Sequence, residues 1–209
     1  MSNSISDDVN ILSEEEKPRT PSDNNDKKGY NPFLLLLSIL MTGTAGWKKL
    51  RRSRLKPEQT AAGCFYPIIA VAAACRFADW FYVPEFNIST TLVSAASIFV
   101  SFFFSYFAVH VICRWLFPVQ AKSKTDTEYF KLIVQYALSS LALFMIPAEI
   151  LPILEPLTVF LPIWTAFIIT KALRFLRLPE IYHNRCMVTI VITVIVMPYL
   201  FMWISDKIF

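Results

Sequence analysis

The chain has 209 residues, of which 55% are hydrophobic and only 17% charged, and it carries a net charge of +4. Soluble globular domains have a lower apolar and a higher charged fraction, so this composition excludes an ordinary soluble domain. The charges are clustered, and the apolar stretches between them reach the roughly 20 residues that cross a bilayer. We therefore predict a helical membrane protein, and the small positive charge gives no indication of a nucleic-acid partner.

Residues 1–30 form a polar block with seven acidic and four basic side chains and few large apolar ones. Such a segment cannot bury enough apolar surface to offset the entropy of ordering its backbone. We predict a disordered cytoplasmic tail, which is also where a protein partner would bind. The block lacks the basic start, apolar stretch and small-residue cleavage site of a secretory signal.

Residues 31–60 combine a short apolar helix with a dense basic collar. The apolar stretch from Phe33 to Met41 has nine residues, too few to cross a membrane, so we predict an interfacial or re-entrant helix. The collar KKLRRSRLK, residues 48–56, carries six positive charges, and Trp47 before it suits an anchor at headgroup level. We predict contacts with anionic lipid headgroups for Trp47, Lys48, Lys49, Arg51, Arg52 and Arg54.

Residues 61–209 contain five apolar segments, from which we predict an all-α domain of five transmembrane helices. The predicted spans are 61–83, 91–113, 130–147, 152–171 and 186–204. Two prolines and two acids favour a turn at 148–156. In the second span, Ser97, Ser101 and Ser105 recur every four residues, a spacing that lets membrane helices approach closely.

The distribution of Lys and Arg predicts the orientation of these spans. Six lie in the collar, four between the second and third spans, and four between the fourth and fifth, whereas the other side has only Lys207. Because basic residues concentrate in cytoplasmic loops, we predict a cytoplasmic N-terminus and an outer C-terminus.

Two opposite charges, Arg76 and Asp79, interrupt the otherwise apolar first span. They are three residues apart and therefore share a helix face, and ionisable residues inside a membrane are functional candidates by default. We predict an intramembrane polar pair that locks this helix against its neighbours. The alternative is a path for an ion or substrate, lined by Arg76, Asp79 and Glu149.

Motifs that indicate catalysis are absent from the sequence, which has no P-loop, HExxH or GxSxG and only four glycines. We predict no enzyme activity, no cofactor and no metal site. We expect His110 to be hydrogen-bonded between helices. An intramembrane enzyme using His110 with Cys113 is a further alternative, because the two share a helix face, although no third group that would orient them is apparent.

A family resemblance is carried by the run GWKKLRRSRLKPEQT, residues 46–60, followed by FYPIIAVAAA. With Trp47, Tyr66 and Pro67 in this pattern and five spans, residues 32–205 resemble the bacterial branch of the Yip family. The resemblance implies a small five-span protein of the bacterial inner membrane with a polar cytoplasmic N-terminal region. The DLYGP-type motif of the eukaryotic members is missing, so a role with Rab-type GTPases is not implied.

The expected function follows from the contrast between a charged tail and a core without catalytic groups. We expect a non-enzymatic, Yip-like membrane protein that acts as a scaffold or organises the membrane. The alternative is a small transporter or channel whose polar path is lined by Arg76 and Asp79.

Overall fold

The computed structural model describes residues 30–82, 86–116, 124–151, 153–154, 156, 160–175 and 180–208. Every regular element in these ranges is helical and none of their residues is in a strand, so the predicted all-α fold is confirmed. The predicted disordered tail lies outside the described residues, apart from Tyr30. The α-helices are α1 Pro32–Thr42, α2 Thr44–Ser53, α3 Pro57–Thr60, α4 Tyr66–Ala74, α5 Ile88–Leu116, α6 Lys124–Ile150, α7 Leu161–Leu173 and α8 Glu180–Ile208.

Four helical stretches in the described ranges are long and apolar enough to cross a membrane. They correspond to the first, second, third and fifth predicted spans, with ends that differ from the predicted ones by one to four residues. Their bounds are Pro57–Phe81, Ile88–Trp115, Thr127–Ile150 and Met187–Ser205. Helical hydrogen bonding satisfies the backbone polar groups along such stretches, which is why helices of this length suit a lipid environment.

The fourth predicted span, 152–171, differs from the structure. Its helix α7 has 13 residues and is therefore about 20 Å long, against about 30 Å for the hydrocarbon core of a bilayer. Helix α7 begins only at Leu161. Pro162 accounts for this start, because it lies in the first turn of the helix, where the missing N–H of proline is tolerated. The predicted turn at 148–156 also begins later than expected, since α6 continues through Pro147 to Ile150.

The stretch Pro57–Phe81, called span 1 from here on, changes its winding twice. A π-helical turn, Ala61–Phe65, links α3 to α4, and a tighter 3₁₀ helix, Cys75–Phe81, follows α4. The π turn ends two residues before Pro67, which cannot donate the backbone hydrogen bond that regular α-helix would require. The local change in winding therefore accommodates the proline without breaking the span.

Helix α6 lies at the centre of the bundle. Within its apolar window 72% of the residues are buried inside the protein, compared with 22–39% for the other three long stretches. Helix α5 packs along α8, where the rings of Phe104 and Phe201 are 6.0 Å apart. Ser97, Ser101 and Ser105 of α5 are all buried, in agreement with the close helix packing that their spacing predicts.

Helices α1 and α2 form a tight antiparallel hairpin. The reversal occurs at Gly43, whose φ of +52° is a backbone conformation that favours glycine. A Cβ added to Gly46 would lie 2.6 Å from the Cα of Ile39, so only glycine allows the two helices to approach this closely. At the open end of the hairpin, the Lys49 ammonium lies 5.8 Å from the centre of the Tyr30 ring.

Candidate functional site

The hairpin is held against the bundle by the buried Trp47. Its ring is 0% exposed, its Nε1–H donates to the Ile168 carbonyl at 3.1 Å, and its edge meets the Tyr136 ring with centroids 6.2 Å apart. This geometry corrects the predicted headgroup contact of Trp47, because a ring enclosed by α6 and α7 cannot reach lipid. Its indole N–H instead donates a hydrogen bond to a carbonyl group in the protein interior.

Arg51 provides a second attachment of the hairpin, one helical turn after Trp47. Its guanidinium donates to the Phe175 carbonyl at 2.8 Å and lies 6.0 Å from the centre of the Tyr129 ring. Phe175 follows α7 directly, and a cation is favourable beside the carbonyl groups at a helix C-terminus. Arg51 therefore binds the protein itself, in addition to any contact with headgroups.

The remaining charges of the collar face away from the bundle. Helix α2 buries Gly46, Trp47 and Leu50 on one side. Its other predicted headgroup contacts are exposed, and these are Lys48, Lys49, Arg52 and Arg54. The left-handed backbone of Arg54, with φ +51°, ends the helix. The collar is thus an amphipathic helix with an exposed basic face.

These contacts define the two ends of the bundle. Arg51 lies beside Tyr129 near the start of α6 and beside Phe175 just after α7, so the open end of the hairpin lies at this end. We call it the basic end, because the termini of α5, α6 and α7 also place basic residues there. Those described are Arg114, Lys131, Lys171 and Arg174. The end that carries Arg76 and Glu149 is called the opposite end.

Helix α1 has apolar side chains both on its buried face and on its exposed face. It buries Leu35, Leu36 and Ile39 against the rest of the protein. Its outward face is also apolar, with Leu34, Leu37 and Met41 exposed. The helices of this bundle are long enough to cross a membrane, so an exposed apolar face of this kind is better suited to contact with lipid chains than with water.

The predicted polar pair of Arg76 and Asp79 is replaced by a bridge between helices. Arg76 pairs with Glu149 of α6 at 2.9 Å, with 36% of the arginine and 15% of the glutamate side chain exposed. In the described part of the chain, Asp79 makes no ion pair. The 3₁₀ segment of span 1 packs against α6, so the partner on α6 neutralises both charges where the two helices meet.

A polar cluster that the sequence analysis did not predict lies between α5 and α6. Gln135 donates from Nε2 to the Tyr106 hydroxyl at 3.4 Å, and the Tyr106 and His110 rings meet edge to face, with centroids 4.6 Å apart. His110 also packs on Phe130 at 5.4 Å. The expected interhelical hydrogen bond of His110 is not formed at Nε2, which has no partner among the described residues.

Several other buried polar atoms also lack a hydrogen-bond partner within the described ranges. They include the hydroxyl oxygens of Ser97, Tyr129 and Thr165. Such atoms are rare in protein interiors because leaving them unpaired is costly. Among the described residues, no group of three or more His, Cys, Asp or Glu side chains is placed to hold a metal ion.

Comparison with known proteins gives no relative. No family model matches the chain, and neither a curated protein nor a solved structure matches it. What the molecule itself establishes is a helical protein with four stretches able to cross a membrane, a fold compatible with a membrane location.

Proposed function

We propose that this is a non-enzymatic, multi-span membrane protein that organises the surrounding membrane by inserting the α1–α2 hairpin into one leaflet. The hairpin geometry carries the proposal: a tight pair of short helices with both ends at the basic end, an apolar outer face on α1 and a basic outer face on α2. The resemblance to the Yip family is the basis on which we propose a bacterial inner-membrane location.

The depth of the hairpin supports insertion into one leaflet only. From Arg51 to the reversal at Gly43 there are eight residues, or about 12 Å of helix. Half of the hydrocarbon core is about 15 Å thick. With Arg51 at headgroup level, the reversal lies near the bilayer centre, and the exposed faces of Leu34, Leu37 and Met41 meet lipid chains.

Lipid charge would fix this position. The exposed Lys48, Lys49, Arg52 and Arg54 lie near the open end of the hairpin, where they meet the headgroups. Each cation near an anionic surface is stabilised by about 1 kcal/mol. We therefore propose anionic phospholipids as the lipid partner of α2.

The hairpin also makes the bundle wider at its basic end. Ile168 of α7 and Phe175 just after this helix lie beside Trp47 and Arg51 of α2, so α1, α2 and the C-terminal part of α7 share the basic half of the protein. A body that is broader in one leaflet than in the other favours curvature of the membrane. This asymmetry is the physical basis of the proposed membrane-organising role.

The proposed topology has five crossings, with the N-terminus and the basic end in the cytoplasm and the C-terminus outside. The fourth crossing is the predicted span that contains α7, which by itself is shorter than the hydrocarbon core of a bilayer. Membrane-impermeant labelling of cysteines introduced at Asn87 and Lys56 in intact cells tests it. We expect labelling at residue 87 only, and labelling at residue 56 would contradict the orientation.

The membrane-organising role is tested with vesicles of phosphatidylglycerol and phosphatidylcholine that contain the purified protein. We expect vesicles of smaller diameter with the wild type than with the variant Leu34→Ser, Met41→Ser, which makes the outer face of α1 polar. The matched control is Leu92→Ser, Val111→Ser on α5, since all four side chains are more than half exposed. Equal diameters for all three proteins would exclude the role.

A second candidate function is a small transporter or channel with a polar path that includes Arg76 and Asp79. The observation that favours it is the set of unpartnered polar atoms inside the bundle, together with the Arg76–Glu149 bridge at the opposite end. Arg76→Leu distinguishes the two functions. A folded variant that loses solute flux in proteoliposomes supports a path, whereas unchanged flux or none in the wild type excludes it.

The N-terminal tail is proposed as the attachment site of a protein partner. The basis is its polar, charged composition, which suits binding in an extended form. Crosslinking in native membranes, comparing the full chain with a variant lacking residues 1–29, tests this. A crosslinked protein that persists without the tail would show that the tail is not the attachment site.

A further inference from the structure

The exposed basic face of α2 consists of Lys48, Lys49, Arg52 and Arg54, and none of these four side chains forms an ion pair with another residue in the described part of the chain. Lys48 and Arg52 are four residues apart and therefore neighbours on the helix surface, with Lys49 beside them. Like charges at this spacing repel each other. The face therefore favours an anionic occupant.

The N-terminal tail contains a segment of opposite charge. Residues 7–16 include five acidic side chains and no basic one, and the acids are Asp7, Asp8, Glu14, Glu15 and Glu16. The four basic residues of the tail all follow this segment, between residues 17 and 28. Positive and negative charge are thus separated along the tail, and the acidic segment complements the basic face of α2.

The tail joins the described structure beside this face. The Lys49 ammonium lies 5.8 Å from the centre of the Tyr30 ring, so the last residue of the tail is next to α2. The composition of residues 17–29, which connect the acidic segment to Tyr30, predicts an unfolded linker. A linker of this length has a root-mean-square span of about 20 Å, and the ten residues of α2 extend over about 15 Å. The acidic segment can therefore reach the whole basic face.

We propose that residues 7–16 bind the exposed basic face of α2 and that anionic phospholipid headgroups displace them. Both occupants present negative charge to the same four cations, so they compete. Exposed ion pairs are individually weak, but a short tether raises the effective concentration of the acidic segment to the millimolar range. The tail therefore binds when anionic lipid is scarce and is released when anionic lipid is abundant.

This competition makes the lipid contact of α2 depend on the composition of the membrane. It also controls the tail, because a released acidic segment is free to bind the protein partner proposed above. The inference rests on the proposed contact of α2 with anionic headgroups, but it does not require that the hairpin curves the membrane.

The experiment is zero-length crosslinking of the full chain in lipid nanodiscs that hold one protein molecule each. A carbodiimide joins carboxyl groups to lysine amines that are in direct contact, and mass spectrometry of the digested protein identifies the linked residues. In phosphatidylcholine nanodiscs we expect links from residues 14–16 to Lys48 or Lys49. Raising NaCl from about 0.1 M to about 1 M shortens the screening length from about 10 Å to about 3 Å and should lower the yield about fivefold. Replacing half of the lipid with phosphatidylglycerol should lower the yield as well.

A matched pair of variants tests whether the basic face itself holds the tail. Arg52→Gln removes one cation of the face but leaves every reacting carboxyl and amine in place, so the yield should fall about two- to threefold. Arg114→Gln removes an arginine that is also exposed and also at the basic end, but lies on α5. It should leave the yield unchanged, and an equal loss in both variants would show that the tail has no preference for α2.

Neutralising the tail tests the competition from the other side. The variant should retain more phosphatidylglycerol than the wild type in native mass spectrometry, because the headgroups no longer have a competitor. Its substitutions are Asp7→Asn, Asp8→Asn, Glu14→Gln, Glu15→Gln and Glu16→Gln. Unchanged retention would show that tail and lipid do not compete.

Two results of the crosslinking would overturn the proposal. The first is the absence of links between the tail and α2 in phosphatidylcholine, and the second is a yield of links that phosphatidylglycerol leaves unchanged. Links that form in phosphatidylcholine and are lost in phosphatidylglycerol support it, even if the vesicle diameters measured with the α1 variant exclude the membrane-organising role.

Discussion

Trp47 and Ile168 are 121 residues apart in the chain, and one hydrogen bond of 3.1 Å joins the indole N–H of the first to the carbonyl of the second. The contact lies where the amphipathic helix α2 meets α7. It converts a segment that could lie independently on a membrane surface into an integral part of the bundle. The proposed function depends on this rigid attachment, because only a fixed hairpin has a defined depth.

The first prediction concerns the indole N–H of Trp47. Trp47→Phe keeps an aromatic ring but removes the buried hydrogen bond to the Ile168 carbonyl, which should destabilise the protein by about 0.5–1.5 kcal/mol. Thermal unfolding in detergent measures the change. Trp115→Phe is the control, because that ring is largely exposed, and an equal loss of stability in both variants would contradict the role of the hydrogen bond.

The second prediction concerns the approach of α1 to α2. Gly46→Ala introduces a Cβ 2.6 Å from the Cα of Ile39, a backbone atom that cannot move without separating the helices. The cost of such overpacking is about 1–3 kcal/mol. We expect a lower unfolding temperature, together with loss of the crosslink between cysteines introduced at Tyr30 and Lys49.

The neighbouring residue supplies the control for this variant. Ala45 is on the same helix but exposed, so Ala45→Ser should leave both the unfolding temperature and the crosslink unchanged. A Gly46→Ala protein that keeps the crosslink would show that the hairpin tolerates a wider spacing than the structure has.

The third prediction concerns the charges at the opposite end. Arg76→Leu removes the ion pair with Glu149 and, because the arginine is partly exposed, should cost about 1–2 kcal/mol rather than the larger loss of a fully buried pair. Asp79→Asn should change stability by less than about 0.5 kcal/mol, since Asp79 makes no ion pair within the described residues.

A double-mutant cycle with Glu149→Gln separates the pair from its surroundings. The combined variant Arg76→Leu, Glu149→Gln should be more stable than the sum of the two single losses indicates. A coupling near zero for Arg76 and Glu149, with a clear coupling for Arg76 and Asp79, would favour the local pair that the sequence predicts.

Much of the fold could be predicted because it depends on local composition. The lengths of the apolar stretches in the sequence predicted the four described helical stretches that can cross a membrane. The spacing of Ser97, Ser101 and Ser105 predicted that one face of α5 is packed against another helix. These features follow from a single segment of the chain. Partners from distant segments cannot be obtained in this way.

The errors of the sequence interpretation share that cause. Trp47 matched the pattern of an interfacial anchor, and only the position of α7 shows that it is buried. Arg76 had an opposite charge three residues away, yet a better partner lay on α6 at Glu149. The one signal in the sequence for the cluster at His110 was Gln135, a large polar residue in an otherwise apolar helix.

The last prediction separates attachment from lipid binding within the collar. Arg51 and Arg52 are adjacent in the chain, carry the same charge and are both exposed, but only Arg51 donates to the Phe175 carbonyl. Arg51→Gln should therefore lower thermal stability by about 1–2 kcal/mol, through loss of a charge-assisted hydrogen bond near a helix C-terminus. Arg52→Gln should leave stability unchanged and reduce the amount of phosphatidylglycerol retained by the protein in native mass spectrometry. If Arg52→Gln instead lowered stability as much as Arg51→Gln, or neither variant changed lipid retention, the assignment of one arginine to the protein and the other to the membrane would be wrong.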